Sequence, residues 1–428
     1  MTPLEARLSS LLTRRKSQSK LRVLKASEPG SVDFSSNDFV SLSSNSELRN
    51  DYLRALQETI GSHGLGSTGS RLLDGNSTFA EDLEKDIARF HGAQAALLTN
   101  SGYDANVSLF GFLPQPTDHV VYDELIHASV HDGLKLCRAE SQVSFKHNDL
   151  DHLRQILMSL VLDGSRQSSV FIAVESVYSM DGDLAPLKEM TELIDELFPR
   201  KNCFLIVDEA HATGYFGADG RGRVCELGLE KKILIRLHTY GKAMAASGAA
   251  VLCSPVIKSY LINYARPLIY TTFMSFPSLL SIKVAYDWLQ QGKTNQLATN
   301  LWGLVQHLHE SLQSLSKEIP SNGETPLVTF PSECPESPIF AIFSPQPRAL
   351  ATYCQAAGFV VRAIFPPTVP EGTQRVRVCL HAGNTIEQID NFVATIKEWL
   401  VREAQESSGV SSQLPSDLRE VVPLLPKL

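Results

Sequence analysis

Short apolar runs alternate with helical periodicities through the middle of the chain, and this alternation dictates the fold class. Ala95-Ala96-Leu97-Leu98, His119-Val120-Val121-Tyr122, Val170-Phe171-Ile172-Ala173-Val174 and Phe204-Leu205-Ile206-Val207 read as buried strands. Ile233-Leu234-Ile235 and Ala249-Ala250-Val251-Leu252 continue the series. Strands separated by helices need crossover connections, which predicts a mostly parallel sheet covered on both faces. In such sheets ligands collect where loops leave the carboxyl ends of the strands. After residue 290 the pattern changes to a long helix over 301–317 and strands near 339–343, 359–364 and 374–380, as expected of a second, α+β domain. The expected organisation is an N-terminal helical arm (1–30), a large α/β domain (31–290), a small α+β domain (291–405) and a loose tail (406–428). Leu4, Leu8, Leu11 and Leu12 share one face of the arm helix, which predicts that it lies on the main domain.

Composition narrows the class further. At 428 residues the chain is long enough for one large core and a smaller one, and 43% hydrophobic with 20% charged residues is ordinary globular usage. A net charge of −8 argues against a nucleic-acid or membrane-surface binder, which needs a basic face. No apolar run reaches the roughly 18 residues of a membrane span. The seven cysteines are dispersed without a C-x-x-C pair, which predicts reduced thiols, and no H-E-x-x-H or paired-cysteine metal pattern occurs. Gly64-Leu65-Gly66-Ser67-Thr68-Gly69 matches G-x-G-x-x-G but follows a helical stretch, so a glycine-rich loop over the active site is expected instead of a dinucleotide site. Arg14, Arg15 and Lys16 with nearby serines resemble a transit peptide, but Glu5 and the leucine stripe favour a helix. The chain ends Pro426-Lys427-Leu428, a variant of the Ser-Lys-Leu address, so the peroxisome or the cytoplasm is the expected location.

Two segments carry the chemistry: Val207-Asp208-Glu209-Ala210-His211 and His238-Thr239-Tyr240-Gly241-Lys242. A lysine just past an apolar strand, behind a threonine and a glycine, suits a Schiff base to an aldehyde cofactor with its phosphate nearby. An aspartate and a histidine ending the preceding apolar strand suit the tuning of that cofactor's ring. Pyridoxal 5′-phosphate (PLP) needs these parts: a covalent amine, a pyridinium partner and a phosphate cradle. Lys242 lies between an apolar strand and the small-residue run 243–250, where burial favours the neutral amine.

Over residues 32–400 the chain resembles the α-oxoamine synthases, PLP-dependent enzymes of fold type I. The resemblance rests on Phe34-Ser35-Ser36-Asn37-Asp38-Phe39, Asn100 through Asn106, Leu125-Ile126-His127-Ala128-Ser129, Ser179-Met180-Asp181-Gly182-Asp183, Val207 through Gly214, Thr239 through Lys242 and Pro366-Pro367-Thr368-Val369-Pro370. It implies an aspartate aminotransferase-like large domain and a decarboxylating condensation of a small amino acid with an acyl-CoA. The best-matching branch joins L-alanine to pimeloyl-CoA in biotin biosynthesis. An aminotransferase on the same fold, or a synthase using glycine or serine, is the alternative.

Further residue roles follow from the resemblance. Lys242 would bind the cofactor and move the Cα proton, Asp208 would pair with the pyridinium nitrogen, His211 would meet the phenolic oxygen and His127 would stack on the ring. Ser179, Gly102, Tyr103 and Thr239 would hold the ring or phosphate, and Thr271 and Thr272 would reach the phosphate of the neighbouring subunit in a homodimer. Arg377 would clamp the amino-acid carboxylate, with Arg375 on the same strand face as runner-up. Asn37 would lie near that carboxylate, Thr368 would contact substrate, and Arg22 matches the family's acyl-end arginine. The departures fall where substrates are chosen: Phe365 replaces an arginine before the Pro-Pro-Thr-Val-Pro segment, Arg362 lies three residues earlier, Ala80 replaces a histidine and Arg71 enters the glycine-rich loop.

Overall fold

A computed structural model describes residues 1–18, 21–24, 26–162, 168–318 and 326–407, so the C-terminal tripeptide lies outside the described residues. The arm forms α1 (Pro3–Ser17), followed by β1 (Val32–Asp33) and α2 (Ser46–Thr59). The large domain then runs α3 (Thr78–Phe90), β2 (Ala95–Thr99), α4 (Gly102–Phe112), β3 (His119–Asp123), α5 (Ala128–Leu134), β4 (Ser141–Phe145), α6 (Leu150–Leu162), β5 (Val170–Glu175), α7 (Leu187–Leu197) and β6 (Cys203–Asp208). It continues through α8 (Arg223–Glu226), β7 (Ile235–Thr239), β8 (Ala249–Cys253), α9 (Pro255–Tyr264), α10 (Arg266–Tyr270) and α11 (Phe276–Gln290). The small domain is α12 (Asn295–Glu318), β9 (Ile339–Phe343), α13 (Pro347–Ala356), β10 (Phe359–Val360), β11 (Arg362–Ile364), β12 (Arg375–Cys379) and α14 (Ile386–Ser407).

Seven strands form the large sheet in the order β2-β8-β7-β6-β5-β3-β4. β8 pairs antiparallel with both β2 and β7, and the other pairs are parallel. β5 and β8 are buried at every position, as two-faced helix cover demands. The register sets Glu175 opposite Asp208 and Asp208 opposite Leu237. Consequently the loops after β2, β3, β5, β6 and β7 leave the same edge of the sheet.

Three observations revise the sequence reading. The segment 359–364 is two strands: β10 pairs with β1, whereas β11 joins β12 and β9 in a separate antiparallel sheet. Residues 32–42, expected in the large domain, bridge both: Phe34, Phe39, Val40 and Leu42 join a core that takes residues from α12, β9, β12 and α14 and also from the large domain, where Phe39 meets His211 and Tyr215. α1 forms and is held by a capping box between Thr2 and Glu5, yet Leu4, Leu8, Leu11 and Leu12 are 54%, 48%, 49% and 55% exposed. The arm helix therefore does not lie on the main domain within this chain; local capping supports it, not burial.

Candidate active site

The sheet edge gathers the expected residues. β6 ends at Asp208, which is buried. Asp208 Oδ1 accepts the N–H of Ala210 at 2.9 Å, and Oδ2 accepts Asn106 Nδ2 at 2.8 Å. The Asn106 amide also donates to Ser129 Oγ at 3.0 Å. Ser129 Oγ in turn lies 2.7 Å from Nδ1 of His127, which accepts the Ser129 N–H as well. One polar chain thus joins Asp208 to His127 through Asn106 and Ser129. His127 caps α5 and remains exposed, leaving a ring face open to a planar ligand.

Lys242 follows β7 by three residues. Burial drops its amine to about 8, with Asp208 and Glu175 opposing that shift, so a neutral nucleophile is available near physiological pH. Glu175, buried beside Asp208, is raised to about 8 by burial and by the Asp208 charge. It therefore keeps its proton at neutral pH. His211 is held well below its ordinary range by burial and by the nearby Lys242 and Arg377, so it stays neutral and its Nδ1 has no partner among the described residues.

The phosphate end is equally specific. α4 starts at Gly102 with Ser101 as N-cap, its Oγ accepting the Asp104 N–H at 3.0 Å. The N–H groups of Gly102 and Tyr103 precede the helix's own hydrogen bonds and suit an anion. A Cβ on Gly102 would lie 2.4 Å from Thr239 Cγ2, so only glycine lets this helix start meet β7. The buried Thr239 Oγ1 also lacks a partner among the described residues. Two orphaned buried polar atoms, a glycine-only helix N-terminus, a buried aspartate and a lysine whose amine is lowered by burial fit PLP. Lys242 would hold it covalently, Asp208 at the ring nitrogen, His211 at the phenolic oxygen, His127 on the ring face, and Gly102, Tyr103, Thr239 and Ser179 around the ring and phosphate. When bound, PLP supplies a protonated ring that accepts electron density from the substrate's Cα.

The substrate side comes from the small domain. Arg377 donates through Nε to the Ser179 carbonyl at 2.6 Å and through NH2 to Asn37 Oδ1 at 2.9 Å, with no carboxylate partner among the described residues. Arg375, its runner-up, is committed elsewhere: it pairs with Asp181, donates to Thr373 O and lies 4.7 Å over the Phe343 ring. Arg377 is thus the guanidinium left with capacity for an incoming carboxylate. Thr368 sits exposed in the turn after the cis Pro366–Pro367 bond. Arg22 is exposed beyond α1, and no hydrogen bond or ion pair among the described residues ties it to the site. Thr271 and Thr272 are also exposed, although Asn100 Nδ2 reaches the Thr272 carbonyl at 2.7 Å.

Sequence reasoning missed a second layer. His147 bridges Asp123 (2.9 Å), at the end of β3, and Asp183 (2.7 Å), in the turn that carries Ser179. Burial pulls its imidazole down, but the hydrogen bonds to both aspartates outweigh it and raise the group to about 10. Asn106, Ser129 and Glu175 were likewise not singled out. The glycine-rich loop joins the 271–273 segment through Ser67 Oγ to Phe273 O at 2.7 Å. There Arg71 is structural, paired with buried Glu84 and lying 4.7 Å over the Phe273 ring.

Fold and site together define a PLP-dependent enzyme of fold type I. The family model for aminotransferase class I and II matches residues 29–396, so the chain belongs to that family, and within it to the α-oxoamine synthases. It is 51% identical to the 8-amino-7-oxononanoate synthase of Emericella nidulans over 92% of this chain and 95% of that protein. It is 40% identical to the aminoacyl transferase sphA of Aspergillus fumigatus, over 92% and 86% respectively. The serine palmitoyltransferase of S. paucimobilis, solved with PLP and myriocin bound, superposes with a TM-score of 0.78 at 23% identity, over 96% of this chain and all of that one. The chain is a PLP-dependent acyltransferase.

Proposed function

We propose that this enzyme condenses L-alanine with pimeloyl-CoA, releasing CoA and CO2 and forming 8-amino-7-oxononanoate for biotin synthesis. The observation that carries this reading is the 51% identity, over 92% of this chain, with an enzyme of that name. The geometry is consistent with it: Arg377 and Asn37 receive the amino-acid carboxylate, and the neutral amine of Lys242 takes the Cα proton and returns one. The burial of Glu175, Asp208 and His211 limits competing water. The 40% relative supports a second reading, an α-oxoamine synthase with a different amino acid or acyl chain.

CoA release by the purified enzyme, over a grid of amino acids and acyl-CoAs with product masses recorded, tests both. Release with alanine and pimeloyl-CoA alone supports the first reading, and release with other pairs supports the second. No release with any pair moves aminotransfer to the front. The exposed Thr271 and Thr272 favour a homodimer in which each chain completes its partner's phosphate site, and a monomeric mass by light scattering on active enzyme would refute this. Pro426-Lys427-Leu428 is proposed as an import address; unchanged location in cells after its deletion would count against that.

A further inference from the structure

β11 and β12 are antiparallel, and their register sets Arg362 directly opposite Arg377 and Ile364 opposite Arg375. Directly opposed residues project from the same face of a sheet, with Cβ atoms about 5 Å apart. Ala363 and Val376, the alternate pair, both pack into the shared core, so the opposite face carries Arg362, Arg375 and Arg377. This is the face that meets Ser179, Met180 and Asp181 of the large domain. Of its three guanidinium groups, only that of Arg375 has a carboxylate partner among the described residues. Arg377 donates to a carbonyl and an amide, and Arg362 is exposed with no hydrogen bond or ion pair among the described residues.

Like charges placed directly across two strands destabilise a sheet unless an anion lies between or beside them. The amino-acid carboxylate can neutralise one of these groups. From this geometry we infer that Arg362 binds a second substrate anion, the terminal carboxylate of a dicarboxylic acyl-CoA, and so selects for it. The inference rests on the reading above and deepens it. At the position three residues on, Phe365 carries no charge and lies under the Arg348 guanidinium at 5.1 Å, so this stretch offers its free cation at Arg362 instead. An exposed arginine beside the carboxylate clamp is reachable by a chain entering from solvent, and a guanidinium fork suits a carboxylate end group.

The test compares pimeloyl-CoA with octanoyl-CoA, which lacks the second carboxylate, in PLP-loaded wild type, Arg362→Gln and Arg362→Lys, with CoA release as the readout. Wild type should prefer pimeloyl-CoA. Arg362→Gln should raise its KM about tenfold, the loss of one charge-assisted hydrogen bond, while the KM values for octanoyl-CoA and alanine stay within about twofold. Arg362→Lys, which keeps the charge without the fork, should fall between. An equal rise for both thioesters would place the contact on CoA itself and overturn the inference. A rise for alanine alone, or no change in any KM, would overturn it too. Absence of CoA release by wild type with either thioester would instead bring down the reading on which it rests. Retention of the bound-cofactor absorbance band in each variant separates a lost contact from a lost fold.

Discussion

The imidazolium of His147 makes a stability prediction whose size and pH range both come from the structure. His147 lies between Asp123, which is fully buried, and Asp183, and it is raised from 6.5 to about 10. That difference of about 3.5 corresponds to about 5 kcal/mol of proton-linked stability, at about 1.4 kcal/mol for each factor of ten in proton affinity. Because the folded value lies above the unfolded one, the stabilisation is complete below pH 6.5 and is lost as the pH rises through about 10. Roughly half should remain at pH 8 and about 1 kcal/mol at pH 9.5. His147→Gln removes the charge at every pH and leaves two carboxylates facing each other. Urea unfolding of PLP-loaded wild type and variant, at pH 6.5, 8 and 9.5, should show a gap of about 3–5 kcal/mol at the lowest pH. The gap should shrink to about 1 kcal/mol at the highest. A gap that stays constant across this range would refute the assignment of a protonated imidazole.

Lys242→Ala should lose both the bound-cofactor absorbance band and turnover; near-normal activity in that variant would overturn the site. Cofactor-free enzyme should take up PLP at a rate that rises with pH and levels off above about 8, the value to which burial drops the Lys242 amine, whereas a rate still climbing towards 10.5 would show a solvated lysine. Gly102→Ala pushes a methyl to within 2.4 Å of Thr239 Cγ2, so the helix start must retreat from the phosphate; PLP affinity in a reconstitution titration should fall at least tenfold, and an unchanged value would mean that this helix start does not hold the phosphate. Asn106→Leu strips Asp208 and Ser129 of a shared buried donor, at a cost of about 1–3 kcal/mol in urea unfolding, with an effect below about 0.5 kcal/mol refuting the polar chain.

The large sheet was legible because five of its strands, β2, β3, β5, β6 and β8, are apolar through their centres. β4 was not read as a strand: Ser141-Gln142-Val143-Ser144-Phe145 offers only two apolar side chains, which suffices for an edge strand half open to solvent. The apolar pattern places β7 two residues early, at 233–235, because its own sequence, Ile235-Arg236-Leu237-His238-Thr239, buries two polar residues, Arg236 and His238. Their burial depends on contacts that no local pattern displays. Arg236 donates to the His91 carbonyl at 3.0 Å and to Cys225 Sγ at 3.2 Å, and His238 Nδ1 lies 2.9 Å from Thr213 Oγ1.

The same distinction separates the residues expected to meet the cofactor from those that hold them. Asp208, Lys242, His127 and Gly102 each sit within four residues of the end of a strand, so apolar runs that reveal the strands also point to the chemistry at their ends. Asn106 and Asp208 are 102 positions apart, and His147 reaches Asp183 across 36; such partnerships depend on strand order and helix packing, which hydrophobic patterning does not encode. Arg362 belongs to this second kind. As a sequence feature it is a displaced arginine, and only the β11–β12 register sets it across from Arg377, turning a departure from the family pattern into a second cation on the substrate face.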